Sequence, residues 1–326
     1  MDSKIKSIKK IILLNCVIVF FFIFFLEVLA NFFNLSQLLG IESKLIEIKN
    51  DSHHFMPNST GKIFNKKVYI DSNGFRVPSL PYNYSGKKNI YIIGDSVTFG
   101  NGVDEENTFV GLLRKDFTNI NFYNNSVPGY QIKNHIDNLE KIKHFKQIKH
   151  IIYFFTLNDV YSSSNIQERD DQKYRNSKKF FDKKIFGKIN GYLIRKSYLY
   201  LYIKGIASDP SKRWFVALDN FYKEKNILFM KKEFKKLKNF SNLHESDLTV
   251  ILLPYEYQTR DCKNKNFLPQ KKITNYLNEV EIKFIDYSKN FCNEKSNENF
   301  LRFDPMHLSK NGHNIVYNLL LNEKIF

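Results

Sequence analysis

Ser96 stands in Gly94-Asp95-Ser96-Val97-Thr98-Phe99-Gly100, directly after the apolar run Asn89-Ile90-Tyr91-Ile92-Ile93. A serine hydroxyl attacks a carbonyl only when a base takes its proton and a third group fixes the tautomer of that base. Asp304 and His307, in Asp304-Pro305-Met306-His307, are the right residue types for those two roles and lie close together near the other end of the chain. Each feature also has a plainer reading. A serine after a strand commonly caps the next helix, and Asp-x-x-His fits a solvated loop before a last helix. Two more segments end in polar tips: Tyr123-Asn124-Asn125-Ser126-Val127-Pro128-Gly129, and Ile151-Ile152-Tyr153-Phe154-Phe155-Thr156-Leu157-Asn158-Asp159.

These residues need strands to carry them. Short β-branched and aromatic runs bounded by Gly, Asn and Pro read as buried strands, and open α/β sheets place ligands at the carboxyl ends of such strands. The runs at 89–93, around Tyr123 and at 151–155 predict three strands, each ending in a candidate tip. Runs at 248–254 and 280–287 predict a fourth and a fifth. The expected fold class is α/β, a three-layer α/β/α sandwich with a short parallel sheet.

The tips come in the order Ser, Gly, Asn, Asp-x-x-His, and this series resembles the SGNH (GDSL-like) serine hydrolase family. Gly94-Asp95-Ser96 matches its first block, residues 124–129 the second, Asn158-Asp159 the third, and Asp304-Pro305-Met306-His307 the block conventionally numbered five. The match covers roughly residues 89–160 and 300–320. It implies a flavodoxin-like fold, with Ser96 as nucleophile, His307 as base and Asp304 as the residue orienting His307. It also implies an oxyanion hole built from the Ser96 and Gly129 backbone N–H groups and the Asn158 side-chain amide. The family commonly has Gly two residues before the third-block Asn, whereas this chain has Thr156, whose Cβ would tighten or reshape that pocket. The implied reaction is ester acyl transfer through an acyl-serine. Water as acceptor makes an esterase removing O-acyl groups, with O-acetyl groups on cell-envelope or exported carbohydrate as the implied substrate. A sugar hydroxyl as acceptor makes an O-acyltransferase, which would work beside a separate membrane acyl-donor protein. A non-catalytic glycan-binding module is a third reading, and the presence of all three of Ser96, Asp304 and His307 argues against it.

The first 35 residues predict where this happens. Lys4, Lys6, Lys9 and Lys10 precede an apolar, Phe-rich run from Ile11 to Leu26 that resumes past Glu27 to Leu35. About 20 apolar residues span a bilayer, and Val28-Leu29-Ala30-Asn31 is a poor signal-peptidase exit. The expectation is an uncleaved single-pass membrane anchor rather than a cleaved signal or a buried helix. The lysines predict a cytoplasmic N-terminus and an extracytoplasmic catalytic domain. Residues 1–35 are then the anchor, 36–88 an N-terminal extension and 89–326 the catalytic domain, with a helical insertion at about 161–248.

The 326 residues suffice for one α/β domain beyond such an anchor, and 43% hydrophobic and 16% aromatic residues can fill its core. The net charge of +17 invites nucleic acid as a partner. Lysine is scattered with Asn over the whole chain, however, and a membrane anchor argues against nucleic acid as well. No Cys/His cluster has metal-ligand spacing, no phosphate-binding glycine loop is present, and no cofactor is expected. Cys16 lies inside the anchor. Cys262 and Cys292 would pair in an oxidising compartment only if their Cα atoms come within about 7 Å.

Several other residues invite a role. Asn73-Gly74 predicts a strand and hairpin turn over 69–76. Arg76 would bind an anionic substrate group or pair with a local carboxylate. The insertion predicts helices near 188–206 and 220–240 at the rim of the site, and Tyr192, Tyr198, Tyr200 and Tyr202 read as core packing ahead of a sugar platform. Glu256, at another strand tip, reads as a surface carboxylate ahead of a substrate contact.

Overall fold

The computed structural model describes residues 2–49, 52–141, 148–160, 184–219, 222, 224–262, 267–292 and 296–326. Helix α1 (Asp2–Phe32) leads the chain. Among the described residues it holds the one stretch long and apolar enough to cross a membrane, Ser7–Phe32. A two-stranded antiparallel ribbon follows, β1 (Ile46–Lys49) and β2 (Ser52–Phe55). Next come β3 (Ser59–Ile63), β4 (Lys66–Ile70), β5 (Arg76–Val77) and β6 (Lys88–Gly94), then α2 (Ser96–Phe99), α3 (Phe109–Asp116), β7 (Ile120–Asn124), α4 (Ile132–Lys141) and β8 (His150–Phe155). Among the described residues there follow α5 (Lys184–Lys196), α6 (Tyr198–Ser208), α7 (Pro210–Asp219) and α8 (Glu224–Leu243). The chain closes with β9 (Asp247–Leu252), α9 (Glu256–Thr259), α10 (Leu268–Glu279), β10 (Lys283–Asp286) and α11 (Lys310–Asn322).

The eight-stranded sheet runs β10-β9-β8-β6-β7-β5-β4-β3. Strands β7, β6, β8, β9 and β10 are parallel. β6 and β8 are buried along almost their whole length, as parallel strands covered on both faces must be. Their order is that of the flavodoxin-like doubly wound sheets. The step from β6 to β7 runs one way and every later step runs the other. Right-handed crossovers therefore put α3 on one face and α4, α8 and α10 on the opposite one. The packing agrees: α3 lies against α11, and α4 against α8. The mixed α/β class with a mostly parallel sheet is the expected one.

The sheet is wider than the sequence suggested. β3, β4 and β5 add an antiparallel extension, joined to β7 through Arg76 opposite Asn124. β4 and β5 form the expected hairpin, and Gly74 sits in its turn at a φ of +85°. The helix expected over 188–206 is two helices. Ser197 between them is extended, and its side chain caps α6 by accepting from the Tyr200 N–H. Helix α7 was not foreseen; Asp209 takes a left-handed φ that ends α6, and Pro210 starts the next helix. Residues 161–183 of the expected insertion lie outside the described residues. Cys262 and Cys292 form a disulfide that ties the loop after β9 to the loop after β10.

Candidate active site

Three strand ends build the site. β6 ends at Gly94, where a Cβ would lie 2.1 Å from Thr98 Oγ1, so only glycine lets the chain turn this tightly into α2. Asp95 caps α2 by accepting from the Val97 N–H at 2.9 Å. The capping alternative for Ser96 is thus corrected: the neighbouring aspartate caps the helix and leaves the Ser96 hydroxyl free for another partner. That partner is His307, whose Nε2 lies 2.8 Å from Ser96 Oγ. His307 Nδ1 lies 2.8 Å from Asp304 Oδ2, and the other oxygen of Asp304 accepts from the Met306 and His307 N–H groups at 2.9 and 2.8 Å. A carboxylate on Nδ1 fixes the hydrogen there and leaves Nε2 as the acceptor for the serine proton. All three side chains are buried. The Asp-x-x-His segment is therefore no solvated loop.

Burial pushes the His307 imidazole down, and the Asp304 carboxylate, by charge and hydrogen bond, outweighs it, so that its pKa is raised above 6.5. Burial holds Asp95 above the usual carboxylate range, against the hydrogen bonds it accepts from Asn158 and Val97.

Asn158 follows β8, next to β6 in the sheet. Its amide donates to Asp95 Oδ2 at 3.0 Å, and its oxygen accepts from the Tyr255 hydroxyl at 2.6 Å. Thr156, at the position where glycine was the familiar residue, is buried, and its Oγ1 lies 3.0 Å from Asp95 Oδ2, 2.9 Å from Asn158 Oδ1 and 3.4 Å from Asp159 Oδ1. Its side chain links the β6 and β8 tips. Burial first, then the charge of Asp95, drives Asp159 well above the ordinary range, which favours a protonated carboxyl in this cluster. Gly129 takes a φ of +80° in the loop after β7. That loop is tied to the β6 tip by the Val127 N–H, which donates to the Gly94 carbonyl at 3.1 Å. Its far side rests on the β1–β2 ribbon, where His53 Nε2 meets the Pro128 carbonyl at 2.6 Å.

Asp95 and Tyr255 are the members that sequence reasoning passed over, and Thr156 was read for its Cβ and not for its hydroxyl. Asp95 and Thr156 stood inside quoted motifs, and Tyr255 directly follows the run that forms β9, so position at a strand end was the available signal. On the other side of His307, Phe64 sets its ring edge-on to the imidazole at 5.0 Å. There a cavity of about 310 Å³ opens between the segment after α1, helices α5 to α7 and the loop 302–307, with Lys204, Arg213, Trp214 and Arg302 in its wall.

Three side readings change. Arg76 binds neither an anion nor a carboxylate: it is fully buried and donates to the carbonyls of Phe99, Gly100 and Val103 at 2.6–2.8 Å, supporting the loop beyond α2. The local carboxylate, Glu105, pairs with Arg114 instead. Glu256 is buried and paired with Arg260, not a surface group. Tyr192 is exposed, and Tyr198, Tyr200 and Tyr202 are half-buried, so the series is not core.

No family model matches the chain, and no curated protein sequence does. Solved structures do. One is a member of the lipolytic protein G-D-S-L family from Veillonella parvula DSM 2008, at 17% identity over 73% of this chain and 98% of that chain, with a TM-score of 0.40. Another is a variant of an acetyl xylan esterase from Geobacillus stearothermophilus, at 13% identity over 74% and 95% with a TM-score of 0.44. A psychrotrophic esterase from Pseudoalteromonas sp. matches at 10% identity over 72% and 96% with a TM-score of 0.39. At such identities and TM-scores the likeness assigns no activity, and what these residues can do rests on their own geometry.

Proposed function

We propose that this protein is an SGNH-type serine esterase that removes O-acyl groups through an acyl-serine intermediate. The observation that carries the reading is the chain Ser96 Oγ–His307–Asp304, with 2.8 Å at each step. His307 Nε2 takes the hydroxyl proton as Ser96 Oγ bonds to the ester carbonyl carbon, and Asp304 stabilises the imidazolium. The tetrahedral oxyanion is received by the Ser96 and Gly129 N–H groups and by Asn158. The Asn158 amide carries two hydrogens; one meets Asp95, and the second is the donor assigned to the oxyanion. His307 then protonates the departing alcohol, and water repeats the sequence to free the acid and regenerate Ser96.

The same reading places the enzyme on a membrane through Ser7–Phe32, facing away from the cytoplasm. The basic N-terminus supports this orientation, and so does the Cys262–Cys292 disulfide, which fits an oxidising compartment. O-acetyl groups on envelope or exported carbohydrate are the proposed substrates, on the strength of the four-block resemblance. The test is fluorophosphonate labelling and hydrolysis of a chromogenic acetate ester by the full chain, with Ser96→Ala and His307→Ala as controls. Labelling and turnover that vanish in both variants are expected. Absence of both in the unaltered chain would overturn the reading.

A further inference from the structure

Glu27 is a carboxylate inside an apolar helix, and its use is visible in the structure. Its Oε2 accepts from Ser197 Oγ at 2.6 Å and from the Leu199 N–H at 3.2 Å, while Oε1 accepts from the Tyr198 N–H at 2.6 Å. The last turns of α1 therefore clamp the start of α6. Ser36 Oγ adds a bond to the Tyr198 carbonyl at 2.7 Å, and the Leu39 N–H one to the Ile194 carbonyl at 3.0 Å. Ala30 is buried, whereas Phe32 and Phe33 stay exposed. α1 is docked on the domain and does not act as a loose tether.

Length then sets depth. The apolar stretch has 26 residues, about 39 Å at roughly 1.5 Å per residue, against a hydrocarbon core of about 30 Å. Lys9 and Lys10 keep the start of that stretch among the inner headgroups, so about 20 residues of core counted from Ile11 end near Ala30, which puts Glu27 within one helical turn of the outer edge and the turns after it among the headgroups. The α5–α6 corner, held at Glu27, lies at that same level. The exposed side of α5 suits it: Ile189 and Tyr192 are 50% and 61% exposed, with exposed Lys188, Arg195 and Lys196 around them. Apolar and aromatic groups ringed by cations on one helix face are the pattern of a helix lying in an anionic lipid interface.

We propose that α5 is an interfacial helix resting on the outer leaflet of the membrane that α1 crosses, so that the ester comes from molecules held at that surface. The cavity beside His307 shares walls with this corner, through Ser36, Gln37, Leu39 and Ile194. His307 protonates the leaving alcohol, so the alcohol half of the substrate occupies that side. The inference rests on the anchored-hydrolase reading, and the measurements separate the two.

The full chain is reconstituted in vesicles containing a quarter phosphatidylglycerol, and alkaline carbonate extraction is run first. Release of the chain would overturn anchor and inference together. Tyr192→Cys and Leu243→Cys, each in a Cys16→Ser background, are then labelled with an environment-sensitive fluorophore. Leu243 lies just before β9, at the opposite end of the sheet from the site. Quenching by headgroup-proximal spin-labelled lipid at least twofold stronger at position 192 is expected; equal quenching would overturn the interfacial helix and leave the anchor standing. For the substrate, Ile189→Glu/Tyr192→Glu should keep its turnover of a water-soluble acetate ester and lose at least fivefold on an acylated lipid in the same vesicles. Equal effects on both substrates would overturn the surface-held substrate.

Discussion

Asp304 decides which nitrogen of His307 is basic, and the consequence is measurable in pH. In the proposed reaction His307 must be neutral to take the Ser96 proton, and its pKa is raised above 6.5. Activity should therefore climb with pH along an acidic limb whose midpoint lies above 6.5. Asp304→Asn removes the charge that raises the imidazole, so the limb should move to lower pH while kcat falls by about 10⁴-fold. Asn158→Ala should lower kcat by about 10²–10³-fold as the proposed oxyanion donor is lost. Tyr255 touches no reacting atom; it holds the Asn158 amide from the acceptor side. Tyr255→Phe should cost about five- to tenfold in kcat with KM nearly unchanged, in line with one lost hydrogen bond of about 1–1.4 kcal/mol. Ser96, Asp304 and His307 were legible in the sequence because each sits in a short local motif. The roles of Asp95 and Tyr255 were not, since their partners arrive from strands 61 and 97 residues away.

At the scale of elements, α6 does two jobs. Its start is clamped by Glu27, and its middle presses on the loop that carries Asp304. A Cβ on Gly205 would lie 2.3–2.7 Å from the Phe303 ring, and Phe303 is itself held at a φ of +61°. Gly205→Ala should push this loop from the helix, costing about 1–3 kcal/mol as overpacking does and reading out as a lower Tm with reduced kcat. Both jobs escaped sequence reading for a physical reason. Helical periodicity reports which face is apolar, but not which loop will lie against it. The split at Ser197 had a local signal in the capping serine, which the apolar run around it outweighed.

Across the whole molecule, buried titratable groups make the fold sensitive to acid in a way single variants can isolate. Burial pushes His135 down to about 3, and its ring nitrogens find no hydrogen-bond partner among the described residues. A histidine with a depressed folded pKa takes up its proton only on unfolding, so its contribution is present above pH 6.5 and is lost as pH falls toward 3. His135→Phe should therefore gain on the unaltered protein by about 1.4 kcal/mol per pH unit between 6.5 and 4, measured by urea unfolding. Taking the difference matters, because His307 and Asp159 are shifted upward and titrate with the opposite sign. Reducing the Cys262–Cys292 bridge, which spans 30 residues, should cost about 2–4 kcal/mol.

By itself the sequence determined the parallel strands, their polar tips, the apolar leading helix and the residue types needed for acyl transfer. Those features depend on local periodicity and on composition, which a linear string records. Tertiary structure decided the rest: Asp95 caps in place of Ser96, Thr156 bridges two strand tips, Arg76 serves backbone carbonyls, and the sheet gains an antiparallel edge. It also decided that Glu27 fastens the leading helix to α6. Each of these outcomes is a contact between groups far apart in the chain, and only packing chooses which distant groups meet.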